Sequence, residues 1–355
     1  MHGPWEYQGL REQYALYNQA ASLLHSEFGV EGLANLRALR RTIAPEHLLP
    51  VSLANPVWHH LGAWWVKERV WQEVFGAPFA DIETAVRATQ FLQADGLRYG
   101  VEADRRRAFY NGGSMPWQFN EPFPMAACTS AVDYYAEPKP LYYAVARSYR
   151  PLALSARFDS LAWGGETTFR AEIWAANAGA EVQGNLAVRA AALDGKDLAY
   201  EEQRVAIPAN SARALVPFSF LLKDVPGDLF LLDLTLRSDQ GEALAQNRYL
   251  FSTAENLAPV LAPMPASSLN ARVTKEGYRW AVTLENHSAQ TALWVWLEAE
   301  NADLRQPAYA YFDDNYFCLL PGEQREVQVE WSGMAEEARA ISVSGWNFPT
   351  FRVRK

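Results

Sequence analysis

The residue pattern of the chain changes near residue 150, and this change constrains the fold more than any other feature of the sequence. Before it, apolar residues recur at the three- and four-residue spacing of amphipathic helices. After it, short alternating runs are separated by Gly, Pro, Asn and Asp, which is typical of β-sandwiches. The 355 residues are enough for two or three domains. The sequence therefore predicts a first, helix-rich domain over residues 1–149, followed by all-β domains.

The all-β part divides into two predicted sandwiches. Strand-like runs between residues 150 and 256 have the number and spacing of an immunoglobulin-like sandwich. Three X-Pro steps then fall between Ala258 and Pro265, and they predict a stiff, extended connection. Residues 257–355 repeat the strand pattern, which is clearest over Arg279–Leu284, where side chains alternate with a period of two.

The first domain combines several predicted helices with two short strand candidates, Leu23–Gly29 and Ser114–Asn120. The strand–helix alternation is the unit of a parallel α/β sheet or barrel, but a closed barrel needs eight strands. A small helical domain and the tail of a larger barrel both remain open from the pattern alone. The predicted helices are Gln8–Leu24, Glu31–Arg41, His59–Val74, Glu83–Phe109 and Lys139–Arg150.

Glu27 is the sharpest candidate for chemistry in the sequence. It ends the short apolar run of the first strand candidate and is followed closely by Gly29, which permits an abrupt turn. In a barrel, acidic groups at the carboxyl ends of strands face the active site. The alternative is an ordinary helix cap or surface carboxylate.

The second candidate is the run Trp117–Pro122, which places an aromatic ring, an amide and a carboxylate at the end of the other strand. These groups could stack on a sugar and hydrogen-bond to it, although a strand-to-loop transition rich in turn formers would look similar. The adjacent His59 and His60 lack the spacing of metal ligands. The sequence contains no glycine-rich phosphate loop and no nucleophile elbow.

The amino-acid composition limits the classes of molecule that the chain is expected to bind. With 32 basic and 41 acidic residues the net charge is −9, which argues against a nucleic-acid partner. The 13 tryptophans suit either sugar stacking or core filling. No apolar run approaches the roughly 18 residues of a membrane span. The N-terminal residues lack the basic start and apolar stretch of a signal peptide, so we expect a cytoplasmic protein without a membrane partner.

At these motifs the sequence resembles the C-terminal half of the family 2 glycoside hydrolases, closest to their β-mannosidase branch. His25–Gly29 resembles the strand that carries the nucleophile in this family, and Trp117–Pro122 resembles the last barrel strand. His2–Trp5 resembles the end of the preceding barrel strand. Two further stretches match the entry to the final barrel helix and the C-terminal sandwich of β-mannosidases: Asp133–Ala144 and Tyr311–Gly322.

The resemblance implies a fold and a set of site residues. The fold is the C-terminal part of a (β/α)8 TIM barrel over residues 1–149, an immunoglobulin-like β-sandwich over 150–256 and a C-terminal β-sandwich of the β-mannosidase type over 257–355. Glu27 is implied as the nucleophile of a retaining exo-β-glycosidase, and the scheme requires no metal or organic cofactor. The implied substrate-binding residues are His2, Trp5, Trp117, Asn120 and Glu121.

The resemblance also implies that the second catalytic carboxyl group of the family is not among these residues. Retaining hydrolysis uses two carboxyl groups about 5–5.5 Å apart, and the family's acid/base Glu belongs to an earlier barrel strand. We therefore expect the chain alone to be inactive, and either to self-associate or to pair with the N-terminal half of such an enzyme. The alternative is a non-catalytic scaffold, derived from such an enzyme, that binds carbohydrate or protein.

The resemblance indicates the type of reaction more clearly than the identity of the sugar in the substrate. Phe28-Gly29 and Tyr311–Phe317 favour a β-linked mannoside, whereas glucose, glucosamine and galactose remain open.

Overall fold

The computed structural model describes residues 1–301 and 308–353. The chain forms two compact units. The first contains Met1–Ala190 and Leu198–Ala262, and the second contains Ala191–Asp197 and Pro263–Lys355. Among the described residues, no helix is both long and apolar enough to cross a membrane.

Helices surround a few short strands in the first 150 residues. In chain order the elements are α1 (Glu12–Gln19), β1 (His25–Phe28), β2 (Gly32–Leu33), α2 (Leu36–Thr42), α3 (Pro56–Gly62), α4 (Glu68–Phe75), α5 (Ile82–Arg106), β3 (Ser114–Pro116), β4 (Ala127–Cys128) and α6 (Pro140–Ser148). β1 pairs with β3 in parallel, and β2 pairs with β4 in antiparallel orientation.

The long helix α5 lies in the core of this region. Asp81 caps its N-terminus, where the side chain accepts a hydrogen bond of 2.7 Å from the Thr84 N–H. Arg105 and Arg106 occupy its last turn, where positive charge favours the helix end. Most of its residues are buried, on more than one face, so neighbouring elements pack around it.

Three predicted helices differ from the observed ones. The helix predicted over His59–Val74 is broken between α3 and α4, and Gly62, the last residue of α3, lies against β4. A Cβ at Gly62 would meet the Ala127 nitrogen at 3.2 Å. The helix predicted over Gln8–Leu24 ends at Gln19, since Ala20 is already extended. The helix predicted over Glu31–Arg41 begins later, after β2.

A seven-stranded sandwich follows in the first unit. Its strands are β5 (Leu152–Arg157), β6 (Thr168–Asn177), β7 (Val182–Ala192), β8 (Asp197–Ile207), β9 (Ser211–Leu221), β10 (Leu229–Arg237) and β11 (Ala243–Ser252). One sheet has the order β5-β6-β9 and the other β11-β10-β7-β8. Phe169 lies in the core between them and is fully buried. Four aromatic rings surround it within 4.8–5.5 Å between centroids: Trp163, Phe220, Phe230 and Phe251.

Two features of this region were not predicted. Strand β8 is an edge strand, and most of its side chains are exposed, so it lacks the apolar alternation that marks a half-buried strand. The segment predicted as an extended linker begins with a short helix, α7 (Ala258–Leu261). Pro259 lies in its first turn, where the fixed φ of proline suits a helix start.

The second unit contains another sandwich. Its strands are β12 (Leu269–Glu276), β13 (Arg279–Asn286), β14 (Ala292–Asn301), β15 (Tyr309–Phe312), β16 (Phe317–Leu319), β17 (Gln324–Ser332), β18 (Arg339–Gly345) and β19 (Phe348–Val353). The sheets have the orders β12-β13-β17-β15 and β16-β14-β18-β19. Trp280, Val282 and Leu284 are buried as the alternation predicted. The three predicted domain boundaries remain predictions.

The aromatic core of the first sandwich gives a stability prediction. Phe169→Ala leaves a cavity among four rings and should lower the free energy of unfolding by about 3–5 kcal/mol. Leu221→Ala removes a side chain on strand β9 that is 46% exposed, and it should change the free energy of unfolding by less than about 0.5 kcal/mol. Denaturant unfolding of both variants measures the difference. Equal effects would contradict this packing.

Candidate functional site

Strand β1 lies between two other parallel segments. On one side runs the N-terminal segment, residues 1–5. The Gly3 N–H donates to the Glu27 carbonyl at 2.6 Å, and the Gly29 N–H donates to the Pro4 carbonyl at 2.8 Å. His2 and Glu27 form a parallel bridge. Because of this pairing, the N-terminal segment and β1 run side by side towards the same end.

On its other side β1 pairs with β3. His25 is opposite Ser114, and the Trp117 N–H donates to the Phe28 carbonyl at 2.8 Å. The residues that follow both strands therefore come close together at the carboxyl ends. Both strand candidates of the sequence analysis meet at this point.

Gly29 allows this close approach. A Cβ at this position would lie 2.5 Å from the Trp117 carbonyl oxygen and 2.9 Å from the Thr129 Cβ, distances that real side chains do not tolerate. The backbone of Gly29 is not in the left-handed region. The glycine is thus required for packing, and the expectation that it serves an abrupt turn is corrected.

The Glu27 carboxylate is accessible and has an imidazole beside it. The side chain is 37% exposed, and its Oε2 lies 3.8 Å from Nε2 of His2. The other ring nitrogen of His2 lies 3.1 Å from the Ser26 hydroxyl. Trp5 contacts the His2 ring edge-on, with 4.9 Å between centroids. Three of the predicted site residues, His2, Trp5 and Glu27, therefore form one cluster.

Trp117 and Asn120 lie on the next segment along the sheet. Trp117 is partly buried, and its ring centroid is 5.8 Å from that of Trp65. The peptide bond between Trp117 and Gln118 is cis. Asn120 is exposed beyond the end of β3. Sequence reasoning missed Trp65, which lies in the break between α3 and α4; the predicted continuous helix concealed it.

Glu121 occupies a separate, buried environment. Its two carboxylate oxygens accept hydrogen bonds from the Ser130 hydroxyl at 2.9 Å and from the Tyr134 N–H at 3.1 Å. Burial raises the pKa of the Glu121 carboxyl, although the positive charge of Lys139 opposes this. The substrate-binding role of Glu121 stays a prediction.

A second buried carboxyl, Glu31, was missed by the sequence analysis. The side chain is fully buried, and its Oε2 accepts a hydrogen bond of 2.9 Å from the Tyr7 N–H. Among the described residues its Oε1 has no hydrogen-bond donor. Burial raises the pKa of Glu31 to about 7, against the opposing effects of the Tyr7 N–H and Lys67. The available signal was an acidic residue within the apolar run from Phe28 to Leu33.

Comparison with known proteins finds matches to two families of immunoglobulin-like domain. Residues 170–254 match the model of the mannosidase Ig/CBM-like domain, and residues 251–348 match that of the exo-β-D-glucosaminidase Ig-fold domain. Beta-mannosidase B of Aspergillus clavatus is 27% identical over 205 residues, which cover 53% of this chain and 23% of that protein. These matches support the resemblance of the chain to the C-terminal part of family 2 glycoside hydrolases.

Two solved structures share the fold of this chain. The β-D-mannosidase of Dictyoglomus thermophilum superposes with a TM-score of 0.75 at 21% identity, covering 98% of this chain and 40% of that one. The exo-chitosanase of Amycolatopsis orientalis also gives a TM-score of 0.75, at 17% identity, covering 99% and 45%. The chain thus spans less than half the length of these relatives and about a quarter of the curated mannosidase. It corresponds to the C-terminal part of such enzymes.

The raised pKa of Glu31 predicts that the stability of the chain depends on pH. Between pH 4.5, the ordinary pKa of a Glu side chain, and about pH 7, Glu31 loses its proton in the unfolded chain but keeps it in the folded chain. The unfolded state then binds fewer protons, so the free energy of unfolding should fall as pH rises through this window, by up to about 3 kcal/mol.

The test is Glu31→Gln, which stays neutral at every pH and keeps the acceptor for Tyr7. Its free energy of unfolding should fall less than that of the parent chain between about pH 5 and about pH 8. Denaturant titrations at both pH values give the difference between the two proteins. An identical pH dependence in both would show that Glu31 does not titrate in this range.

Proposed function

We propose that this chain provides the nucleophile and part of the sugar site of a retaining β-glycosidase. The observation that carries the proposal is the position of Glu27. Its accessible carboxylate lies at the carboxyl end of the central of three parallel segments, beside His2 and Trp5. In barrel hydrolases, reacting groups are found at the carboxyl ends of strands.

The order of the elements supports a barrel origin for residues 1–149. The N-terminal segment, α1, β1, α5, β3 and α6 alternate strand and helix along the chain, and consecutive strands are neighbours in the sheet. This is the repeating unit of a (β/α)8 barrel. We propose that these residues are the last strands and helices of a TIM barrel.

In the proposed reaction, the Glu27 carboxylate forms a bond to the anomeric carbon while the bond to the leaving oxygen breaks. A second carboxyl group donates a proton to that oxygen. It later takes a proton from the water that releases the sugar from Glu27, so the nucleophile is regenerated. We propose that this second carboxyl comes from a segment outside these 355 residues, and no cofactor enters the scheme.

The proposed substrate is a terminal β-linked mannoside, because curated relatives are named β-mannosidases. A β-linked glucosamine is the second possibility, since a solved relative is an exo-chitosanase. Trp5 and Trp117 would form walls of the sugar site, and His2 and Asn120 would hydrogen-bond to it. All four are half-buried or exposed, as a binding surface requires.

The proposed partner is the N-terminal half of the same kind of enzyme, with self-association as the alternative. Apolar side chains are exposed around the strands of the first domain: Leu23 is 62% exposed, Leu24 46% and Met115 47%. Exposed apolar side chains beside short parallel strands are a surface that pairing would cover.

Covalent trapping tests the role of Glu27. The chain is combined with the N-terminal half of a related β-mannosidase and treated with a slow 2-fluoro-mannoside. The label should map to the peptide that contains Glu27, and Glu27→Gln should abolish it because the amide is not a nucleophile. Glu46→Gln, at an exposed carboxylate, serves as the matched control and should keep the label. A label on another residue would refute the assignment.

The isolated chain should hydrolyse aryl β-mannosides very slowly. Loss of general acid/base help alone costs roughly 10²–10⁴-fold, and missing strands would also remove substrate positioning. The measurement compares turnover of the purified chain with that of the combined halves. Robust turnover by the chain alone would mean that one of its own carboxyl groups is the acid/base.

A further inference from the structure

His25, two residues before the proposed nucleophile, is hydrogen-bonded through both ring nitrogens. The side chain is fully buried. Its Nδ1 lies 2.9 Å from an oxygen of Asp104, and its Nε2 lies 3.0 Å from the Gly3 carbonyl oxygen. The Phe28 ring stacks on the imidazole with 3.9 Å between centroids. The imidazole is therefore fixed at both ring nitrogens and on one face.

The bond to Gly3 reaches the N-terminal segment of the site. A backbone carbonyl can only accept, so Nε2 of His25 donates. The same glycine donates its own N–H to the Glu27 carbonyl. Its φ of +81° is in the left-handed region, and a Cβ there would also lie 2.8 Å from the Trp5 ring. His25 and Glu27 thus hold Gly3 through both of its polar backbone groups.

The bond to Asp104 connects the imidazole to helix α5 and to β3. Asp104 also accepts hydrogen bonds from the Ser114 hydroxyl at 2.8 Å, from the Asn111 amide at 3.3 Å and from the Arg107 guanidinium. Asp104 thus links the His25 imidazole to side chains at the end of α5, on β3 and in the turn between them.

We infer that His25 is a positioning residue for the proposed site. Through Gly3 it fixes the N-terminal segment that carries His2 and Trp5, and through Asp104 it ties that segment to α5 and β3. The Asp104–His25–Gly3 bridge joins three elements that sequence separates widely. The reacting role of Glu27 rests on the proposed function, whereas the bridge itself does not.

Two variants separate the functions of the bridge. His25→Phe keeps a ring to stack on Phe28 but removes both hydrogen bonds. Asp104→Asn keeps the bond to Gly3, because a neutral imidazole still donates from Nε2 while Nδ1 accepts from the amide. Ser114→Ala is the matched control, since it removes a hydrogen bond of Asp104 without touching His25.

Two measurements on the isolated chain do not depend on catalysis. Nitrogen-coupled proton spectra should show a proton on Nε2 of His25 in the parent chain, in Ser114→Ala and in Asp104→Asn, because the Gly3 carbonyl can only accept. Amide exchange at Gly3 should accelerate about tenfold or more in His25→Phe. Exchange at Gly3 should stay slow in Asp104→Asn. Exchange at the Trp117 amide should stay slow in both His25→Phe and Asp104→Asn.

Absence of a proton from Nε2 of His25 in the parent chain, or unchanged exchange at Gly3 in His25→Phe, would overturn the inference. If His25→Phe does not fold, His25→Gln replaces it, with one remaining donor and an expected intermediate exchange rate. In the combined halves, the rate of labelling of Glu27 should fall about tenfold in His25→Phe and less in Asp104→Asn. Absence of a label on Glu27 in the parent would refute the proposed function but not the bridge. The ring protons and the amide exchange test the bridge, and neither measurement depends on catalysis.

Discussion

The backbone pairing of β1 on both of its edges is the interaction on which the candidate site depends. Gly3 and Glu27 are joined on one edge, and Phe28 and Trp117 on the other. Gly29 makes the second contact possible, because a larger residue would collide with the Trp117 carbonyl. These main-chain bonds align three segments, and every side chain of the proposed site follows from that alignment.

The carboxyl groups of this region divide by environment. Burial raises the pKa of Glu31, Glu121 and Asp133. At Glu121 and Asp133, donors from the protein bond to both carboxylate oxygens. Glu27 is different, since solvent reaches its side chain and an imidazole lies beside it. A group that attacks a substrate has to be accessible to it, whereas the buried carboxyls are positioned to organise loops. The difference in exposure supports Glu27 over its acidic neighbours as the proposed reacting group.

Sequence patterns predicted the parts of this structure that depend on local information. The end of α5 before Asn111, the strand that contains Glu27, and the alternation from Arg279 to Leu284 all follow from periodicity and stop signals. The resemblance to family 2 glycoside hydrolases added a predicted role for Glu27 that pattern alone left open. The other short strand candidate of the first domain, β3, and most sandwich strands were recognised in the same way, whereas β2 and β4 were not.

What the sequence could not predict depends on contacts between distant residues. The hydrogen bond between His25 and Asp104 joins positions 79 residues apart, and no local sequence pattern predicts it. The helix break follows Gly62, which packs against β4, a strand that is distant in sequence. Glu121 looked like a strand-end carboxylate, yet Ser130 and Tyr134 fold back to bury it. Tertiary packing decides these positions, and local propensity does not.

A comparison of two glycine substitutions tests the central claim, that β1 and the Trp117 segment meet at backbone contact. Gly29→Ala would place a Cβ 2.5 Å from the Trp117 oxygen, whereas the nearest atom to a Cβ at Gly112 is the Leu23 oxygen at 3.7 Å. Gly29→Ala should lower the free energy of unfolding by about 1–3 kcal/mol, and Gly112→Ala should change it by less than about 0.5 kcal/mol. Denaturant unfolding measures both. Equally small effects would contradict the account, because the two segments would then not touch and the site would not be assembled as described.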